Sequence, residues 1–87
     1  MMQIYAIKDK ATEAFHNPFF VRARGIAMRM FMDETKNEQS QINKHPDDFE
    51  LHYIGDFNEE TGQIQQIWAT TMASYFDTLG EGLDPLS

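Results

Sequence analysis

The sequence of 87 residues contains no cysteine, so no disulfide bond can reinforce its fold. Its apolar stretches are only a few residues long, far short of the roughly 18 residues that a membrane-spanning helix needs. The start of the chain also lacks the charged segment followed by an apolar one that marks a secretory leader. A chain of this length has room for one domain with a small core. We expect that domain to stay in a cytoplasm and to gain stability by self-association, as a dimer.

The motifs of common enzyme chemistry are missing as well. There is no cysteine nucleophile, and none of Ser40, Ser74 and Ser87 lies in a Gly-x-Ser-x-Gly context. The nearest approach to a metal-binding motif is the segment HPDD at residues 45–48, which has no second His or Cys at a recognisable spacing. We interpret this segment as a polar turn, with a small metal-dependent enzyme as the alternative. We therefore expect no catalytic residues, no metal and no other cofactor.

Positive charge is scarce, and its distribution is uneven. The net charge of −7 disfavours nucleic acid as a partner, because binding to phosphates depends on Lys and Arg. Residues 1–32, however, contain five Lys or Arg and two Asp or Glu, which gives +3. Residues 33–87 contain two Lys and twelve Asp or Glu, which gives −10. The N-terminal third is therefore the only part whose charge favours nucleic acid.

The periodicity of the sequence predicts an α+β fold with the element order ββα, ββ, α. Residues 2–8 have apolar side chains on both alternation phases, which is typical of a central strand covered on both faces. Residues 14–21 are expected to return as the second strand of a hairpin, with Pro18 at an edge or a bulge because proline has no N–H to donate. Residues 24–38 are rich in helix formers and predict the main helix, packed on a small, mostly antiparallel sheet.

A second hairpin is predicted after a loop at residues 37–48. Residues 49–57 alternate apolar and polar side chains, with His52 on the polar side, where it is expected to be exposed or partly paired. A turn that ends at Gly62 leads into a return strand at residues 63–68.

The end of the chain is predicted to be helical and then disordered. Apolar side chains recur at helical spacing over residues 69–79, with Thr70 or Thr71 as N-cap. The domain therefore covers residues 1–79. Residues 80–87 are acidic and rich in glycine, which is typical of a disordered tail.

The main helix carries two apolar stripes. The first is expected to be buried and contains Ala23, Ile26, Ala27, Met30 and Phe31. Met28 and Met32 fall on a different face, one turn apart. They form either a dimer or partner surface, for which methionine is well suited, or additional core if the helix is buried on two sides.

The basic N-terminal third also contains aromatic side chains. Lys and Arg along the backbone and rings that stack on bases are the usual means of holding single-stranded DNA. The candidate DNA-binding residues are Lys8, Lys10, His16, Phe20, Arg22, Arg24 and Arg29.

Most of the aromatic side chains in this third of the chain have a structural explanation. Tyr5, Phe15 and one of Phe19 and Phe20 are expected in the core, and because neighbouring strand residues point to opposite faces, the other phenylalanine is the stacking candidate.

The positive charges of Arg22 and Arg24 lie near the start of the main helix, where they oppose the helix dipole. A bound phosphate would compensate for this unfavourable placement.

Five segments of the chain together resemble a known family over roughly the first 67 residues. They are IYAIKD at 4–9, AFHNPFF at 14–20, RGIAMRMF at 24–31, KHPDDFEL at 44–51 and IGDFNEETG at 54–62. The chain resembles the small nonstructural DNA-binding proteins of gokushovirus-type microviruses, which are phages with single-stranded DNA. This resemblance implies a protein of the infected bacterium that acts in replication or packaging of the genome, is absent from the mature capsid and has no catalytic residues.

The leading hypothesis is therefore a dimeric α+β protein that binds single-stranded DNA through its N-terminal third without sequence specificity. Its acidic C-terminal region would limit the affinity or attract a host or viral protein. The rival hypothesis is an acidic interaction module that binds a host or viral replication factor without touching DNA.

Overall fold

The computed structural model describes residues 1–74. Their elements are β1 (Met2–Asp9), β2 (Ala14–Phe15), β3 (Phe19–Val21), α1 (Arg24–Lys36), α2 (Gln41–Lys44), a single 3₁₀ turn (Pro46–Asp48), β4 (Phe49–Phe57) and β5 (Ile64–Ser74).

The five strands form one antiparallel sheet with β1 in its interior. One edge of β1 pairs with β4, which in turn pairs with β5, and the other edge pairs with both β2 and β3. The prediction of an α+β fold with a mostly antiparallel sheet and one main helix is confirmed. The central position predicted for the first strand is also correct.

The return strand of the first hairpin is divided in two around Pro18. Residues 16–18 belong to no strand, so β2 and β3 pair separately with the same edge of β1. The His16 N–H still donates to the Ile7 carbonyl at 2.8 Å, whereas proline has no N–H with which to continue the pairing. Pro18 therefore lies at the sheet edge, as its chemistry requires.

Helix α1 packs on the sheet through a narrow stripe. Ala27, Phe31 and Thr35 are buried at positions i, i+4 and i+8, and Phe31 shares the core with Tyr5 and Leu51. This cluster lies on one face of the sheet, whereas the buried side chains of Ile4 and Ala6 belong to the other face.

The stripe predicted for α1 is wrong at three positions. Ala23 is exposed, and Ile26 and Met30 are 46% and 45% exposed. Met28, for which a contact surface and additional core were both open, packs against the core, and Met32 is partly buried. The reason is geometric: a helix lying on a single sheet buries one narrow row of side chains and leaves the neighbouring row in solvent. A contact role for Met28 and Met32 between two chains stays a prediction.

The predicted C-terminal helix is wrong over residues 69–74, which continue β5. Thr71 pairs with His52 and Ala73 with Leu51 across the β4–β5 ladder, so neither Thr70 nor Thr71 caps a helix. Pairing with the free edge of β4 overrides the helical spacing of the apolar side chains, as tertiary context often does. Residues 75–79 of that predicted helix and the predicted tail at 80–87 lie outside the described residues.

The loop predicted at residues 37–48 contains two short helical turns. Ser40 caps α2 by accepting a hydrogen bond from the Ile42 N–H at 3.1 Å, and this turn buries Ile42 in the core. Asn43 ties α2 to α1 by donating to the Thr35 carbonyl at 2.9 Å. At the next connection, Gly62 has φ +77°, as the prediction for that turn requires.

Candidate nucleic-acid interface

The two helices lie on the same side of the sheet, because Phe31 of α1 and Ile42 of α2 share one core with Tyr5. Side chains alternate along a strand, so Lys8 of β1 projects from the opposite side to Tyr5. Neither helix of residues 1–74 packs on that opposite side.

We call the surface formed there by Lys8, Phe15, Phe20, His52 and Phe57 the open face. The pairing register places these residues together: Phe15 lies opposite Lys8 across the β1–β2 pair, and Phe20 lies opposite Ile4. Across the β1–β4 pair, His52 lies opposite Ala6, and Phe57 lies opposite Met2.

Three phenylalanine rings make the open face aromatic. Phe15 is 46% exposed and Phe20 is 44% exposed. The Phe15 ring contacts His52 edge-on, with centroids 5.3 Å apart, and the Phe20 ring contacts Phe57 in the same manner at 5.6 Å. Of Phe19 and Phe20, one of which was expected in the core, Phe19 is partly buried and packs against the core, whereas the role of Phe20 in stacking stays a prediction. Phe15, expected in the core, is on the surface.

Three of the predicted basic residues lie at this face. The Lys8 ammonium is 5.7 Å from the centre of the Phe15 ring. Lys10 is 3.8 Å from the Glu50 carboxylate, with which it forms an exposed ion pair. Arg22 follows β3 and lines a pocket with Phe20 and Phe57. Together with Phe20, they place four of the seven candidates on or beside the open face.

The other three candidates lie elsewhere. His16 contacts Phe49, which belongs to the core, at a centroid distance of 5.7 Å. Arg24 and Arg29 are exposed on α1. Ala23 offers no capping side chain to the first turn of this helix, and that turn contains no acidic residue. Binding of a phosphate at the start of α1 stays a prediction, but the structure does not bring this end of the helix together with the open face.

His52 was expected to be exposed or partly paired, and the structure shows a side chain that is partly paired but buried. It is only 7% exposed, and its Nε2 is 3.2 Å from Glu50 Oε1 and 3.5 Å from Thr71 Oγ1. Its Nδ1 is buried without a hydrogen-bond partner among residues 1–74. The alternation did place His52 on the side away from the helices, but the ring of Phe15 lies against it there.

Two residues of this region were not among the candidates from sequence. Phe57 ends β4 and packs its ring against Phe20. Glu59, in the following turn, accepts two hydrogen bonds from Arg22. Alternation along β4 predicts Phe57 on the same face as Tyr53, and only the register shift between Tyr53 and Gly55 moves it to the open face. The pairing of Glu59 with Arg22 spans 37 positions and also has no local signal.

On the helix side, Tyr53 donates a hydrogen bond to Asp56. This bond, together with burial of the ring, raises the pKa of Tyr53 from 10.0 to about 12. Burial also raises the pKa of Tyr5, an effect that the nearby Arg24 partly offsets.

The stability of the protein should therefore fall as the pH rises from about 10 to about 12. In that window the unfolded chain has lost the phenolic proton and the folded chain retains it, so unfolding is favoured by deprotonation. The urea midpoint measured across this range should fall less steeply for Tyr53→Phe than for the wild type. Equal slopes would show that the Asp56 contact does not perturb this tyrosine.

Among residues 1–74 no three His, Cys, Asp or Glu side chains come together in a way that could hold a metal ion. No helix within those residues combines the length and hydrophobicity needed to cross a bilayer.

Comparison with known proteins places the chain among bacteriophage proteins. The model of the family described as Phage ORF5 protein matches residues 2–77. The chain therefore belongs to the Phage ORF5 protein family, and the phage origin expected from the resemblance is confirmed. No curated protein and no solved structure matched the chain.

Proposed function

We propose that this phage protein binds single-stranded DNA on its open face, without catalysis and without sequence specificity. The observation that carries this proposal is the set of three phenylalanine rings on a sheet surface that neither α1 nor α2 covers, flanked by Lys8 and Arg22. Its place of action would be the cytoplasm of the infected bacterium, in replication or packaging of the genome.

Exposed rings on a sheet suit single strands because every base has a flat aromatic face. Phe15 and Phe20 each leave nearly half of their surface in solvent, which in water is unfavourable for an apolar ring. Stacking of bases on these rings would remove that surface from water. Since ring stacking does not depend on which base is present, this mode of contact accounts for binding without sequence specificity.

The charges of the open face support a modest electrostatic contribution. Lys8 and Arg22 border the rings, and of the three basic residues Lys10 is paired with Glu50 and Arg22 with Glu59. Two phosphates neutralised on a single strand give a slope of about −1.4 in a plot of log affinity against log salt concentration. This shallow dependence fits a protein of net charge −7 that binds mainly by stacking.

The proposal includes self-association. The exposed side chains of Ile26 and Met30 give α1 an apolar outer surface, which supports contact between two chains.

Binding of a labelled oligothymidine, measured by fluorescence anisotropy over a salt series, tests the DNA contact. Phe15→Ala should weaken binding about 5- to 150-fold, which corresponds to about 1 to 3 kcal/mol for a lost stacked base. The control is Gln39→Ala, which shortens an exposed side chain in the turn after α1 and should leave the affinity unchanged.

Equal losses in the two variants would place the DNA elsewhere. Weak binding at low salt that neither variant changes would favour the rival function, an acidic interaction module for a replication factor.

A further inference from the structure

A pocket of about 420 Å³ lies at one end of the open face. Its lining residues are Met2, Phe20, Arg22, Phe57 and Glu59. The rings of Phe20 and Phe57, which both line this pocket, meet at 76°, edge to face. The volume lies within the range of small-ligand sites. The pocket could therefore hold a flat apolar group next to the charged pair of Arg22 and Glu59.

The charged pair has the geometry with which arginine binds phosphate. The Nη1 and Nη2 atoms of Arg22 donate to Oε1 and Oε2 of Glu59 at 3.2 and 3.1 Å. This fork of two parallel bonds is the arrangement that guanidinium groups form with both carboxylates and phosphates. Glu59 thus occupies the donors that a phosphate would use.

Glu59 is charged at neutral pH and easily displaced. The hydrogen bond from Arg22 lowers its pKa, and the amino group of Met1 lies 3.6 Å from Oε1. The side chains of Arg22 and Glu59 are 67% and 39% exposed, and exposed ion pairs contribute little to stability. A phosphate that approaches from solvent can therefore take the place of the carboxylate at small cost.

We propose that this pocket binds one nucleotide of a single DNA strand, with the base against Phe20 and Phe57 and a phosphate on Arg22 in place of Glu59. The inference rests on the proposed function and adds to it a defined subsite and an internal competitor. Glu59 lowers the affinity for DNA by holding Arg22, and each binding event first separates these two side chains.

Removal of the competitor should tighten binding. Glu59→Gln should raise the affinity for oligothymidine about two- to fivefold, which is the equilibrium factor that corresponds to one exposed ion pair. Glu60→Gln is the matched control, because it makes the same change in net charge at the next residue, whose side chain has no part in the Arg22 fork. The proteins should carry no N-terminal tag, since the Met1 amino group lies beside Glu59.

Two further variants identify the cause. In an Arg22→Gln background, Glu59→Gln should no longer change the affinity, because no guanidinium remains to be released. Phe57→Leu should weaken binding although the residue stays apolar, because the flat ring surface is lost. All variants change exposed or partly exposed residues, and circular dichroism verifies that each one folds.

The outcomes separate this inference from the proposed function. If Phe15→Ala weakens binding but Glu59→Gln and Glu60→Gln behave alike, the pocket is wrong and the DNA contact of the open face stands. If Glu59→Gln tightens binding equally in the Arg22→Gln background, the change in net charge explains the effect without any release of Arg22, and the inference is overturned. If the wild type binds no DNA, both proposals fail.

Discussion

Replacement of Phe31 by alanine is expected to lower the free energy of unfolding by about 3 to 5 kcal/mol. Phe31 is fully buried and lies in the core between α1 and the sheet. The change removes most of an aromatic side chain from a site whose neighbours on β1 and β4 are held by strand pairing and cannot close the cavity. Small domains have a total stability of about 5 to 15 kcal/mol, so the variant should be close to unfolding near 37 °C.

Urea denaturation followed by circular dichroism measures this loss. Met30→Ala changes the preceding residue of the same helix, which is 45% exposed, and should alter the stability by less than about 1 kcal/mol. Alanine suits both positions equally as a helix residue, so the difference between the variants reports packing alone. Similar losses in the two variants would mean that α1 does not face the sheet through Phe31.

Gly55→Ala should destabilise the protein by about 2 to 3 kcal/mol, the upper part of the usual range for overpacking. A Cβ atom at residue 55 would lie 2.6 Å from the carbonyl oxygen of Gln65. That oxygen belongs to the backbone of β5 and cannot rotate away as a side chain would. Gly55 lies within β4, which pairs with β1 on one side and β5 on the other, so relief of the contact would move whole strands.

Thermal denaturation should show this change as a fall in Tm of about 10 to 20 °C. The control is Gly25→Ala in α1, where a Cβ atom would have nothing within 4 Å beyond its adjacent residues and the backbone of its own helix and alanine improves helix propensity. Its Tm should stay constant or rise. A Gly55→Ala variant with unchanged Tm would show that β4 and β5 separate easily at this point.

The sequence contains enough local information for the first two thirds of the fold. Residues 2–8 are apolar on both alternation phases, and both phases contain buried side chains, Tyr5 on the side of the helices and Ile4 and Ala6 on the other side. The helix formers of α1 and the alternation of β4 gave their boundaries within two residues. In each case the periodicity within the segment and its final environment agree.

The predictions were wrong where contacts between residues far apart in the chain determine the structure. Residues 69–74 carry apolar side chains at helical spacing, but the free edge of β4 recruits their backbone into β5. By spacing alone, Ile26 and Met30 fit a buried stripe as well as Ala27 and Phe31 do. Only the position of α1 over a single sheet shows which row of side chains is buried. Neither fact can be obtained from a window of neighbouring residues.

The candidate site was half predictable for the same reason. Charge and aromaticity identified Lys8, Phe20 and Arg22, which the structure places on or beside the open face. They could not separate these residues from Arg24 and Arg29, which belong to α1. Sequence separation also concealed the contact between Arg22 and Glu59, since turns far apart in the chain meet only after the sheet has formed.

The interruptions in the outer strands have a consequence for behaviour at high concentration. The edge formed by β2 and β3 is broken at residues 16–18, and β5 departs from regular pairing with β4 on either side of Tyr53. A further strand would find only short unbroken rows of backbone donors and acceptors at either edge of residues 1–74. Many copies at high concentration would thus resist joining into continuous sheets, and the protein would stay dispersed where an exposed sheet edge otherwise leads to fibres.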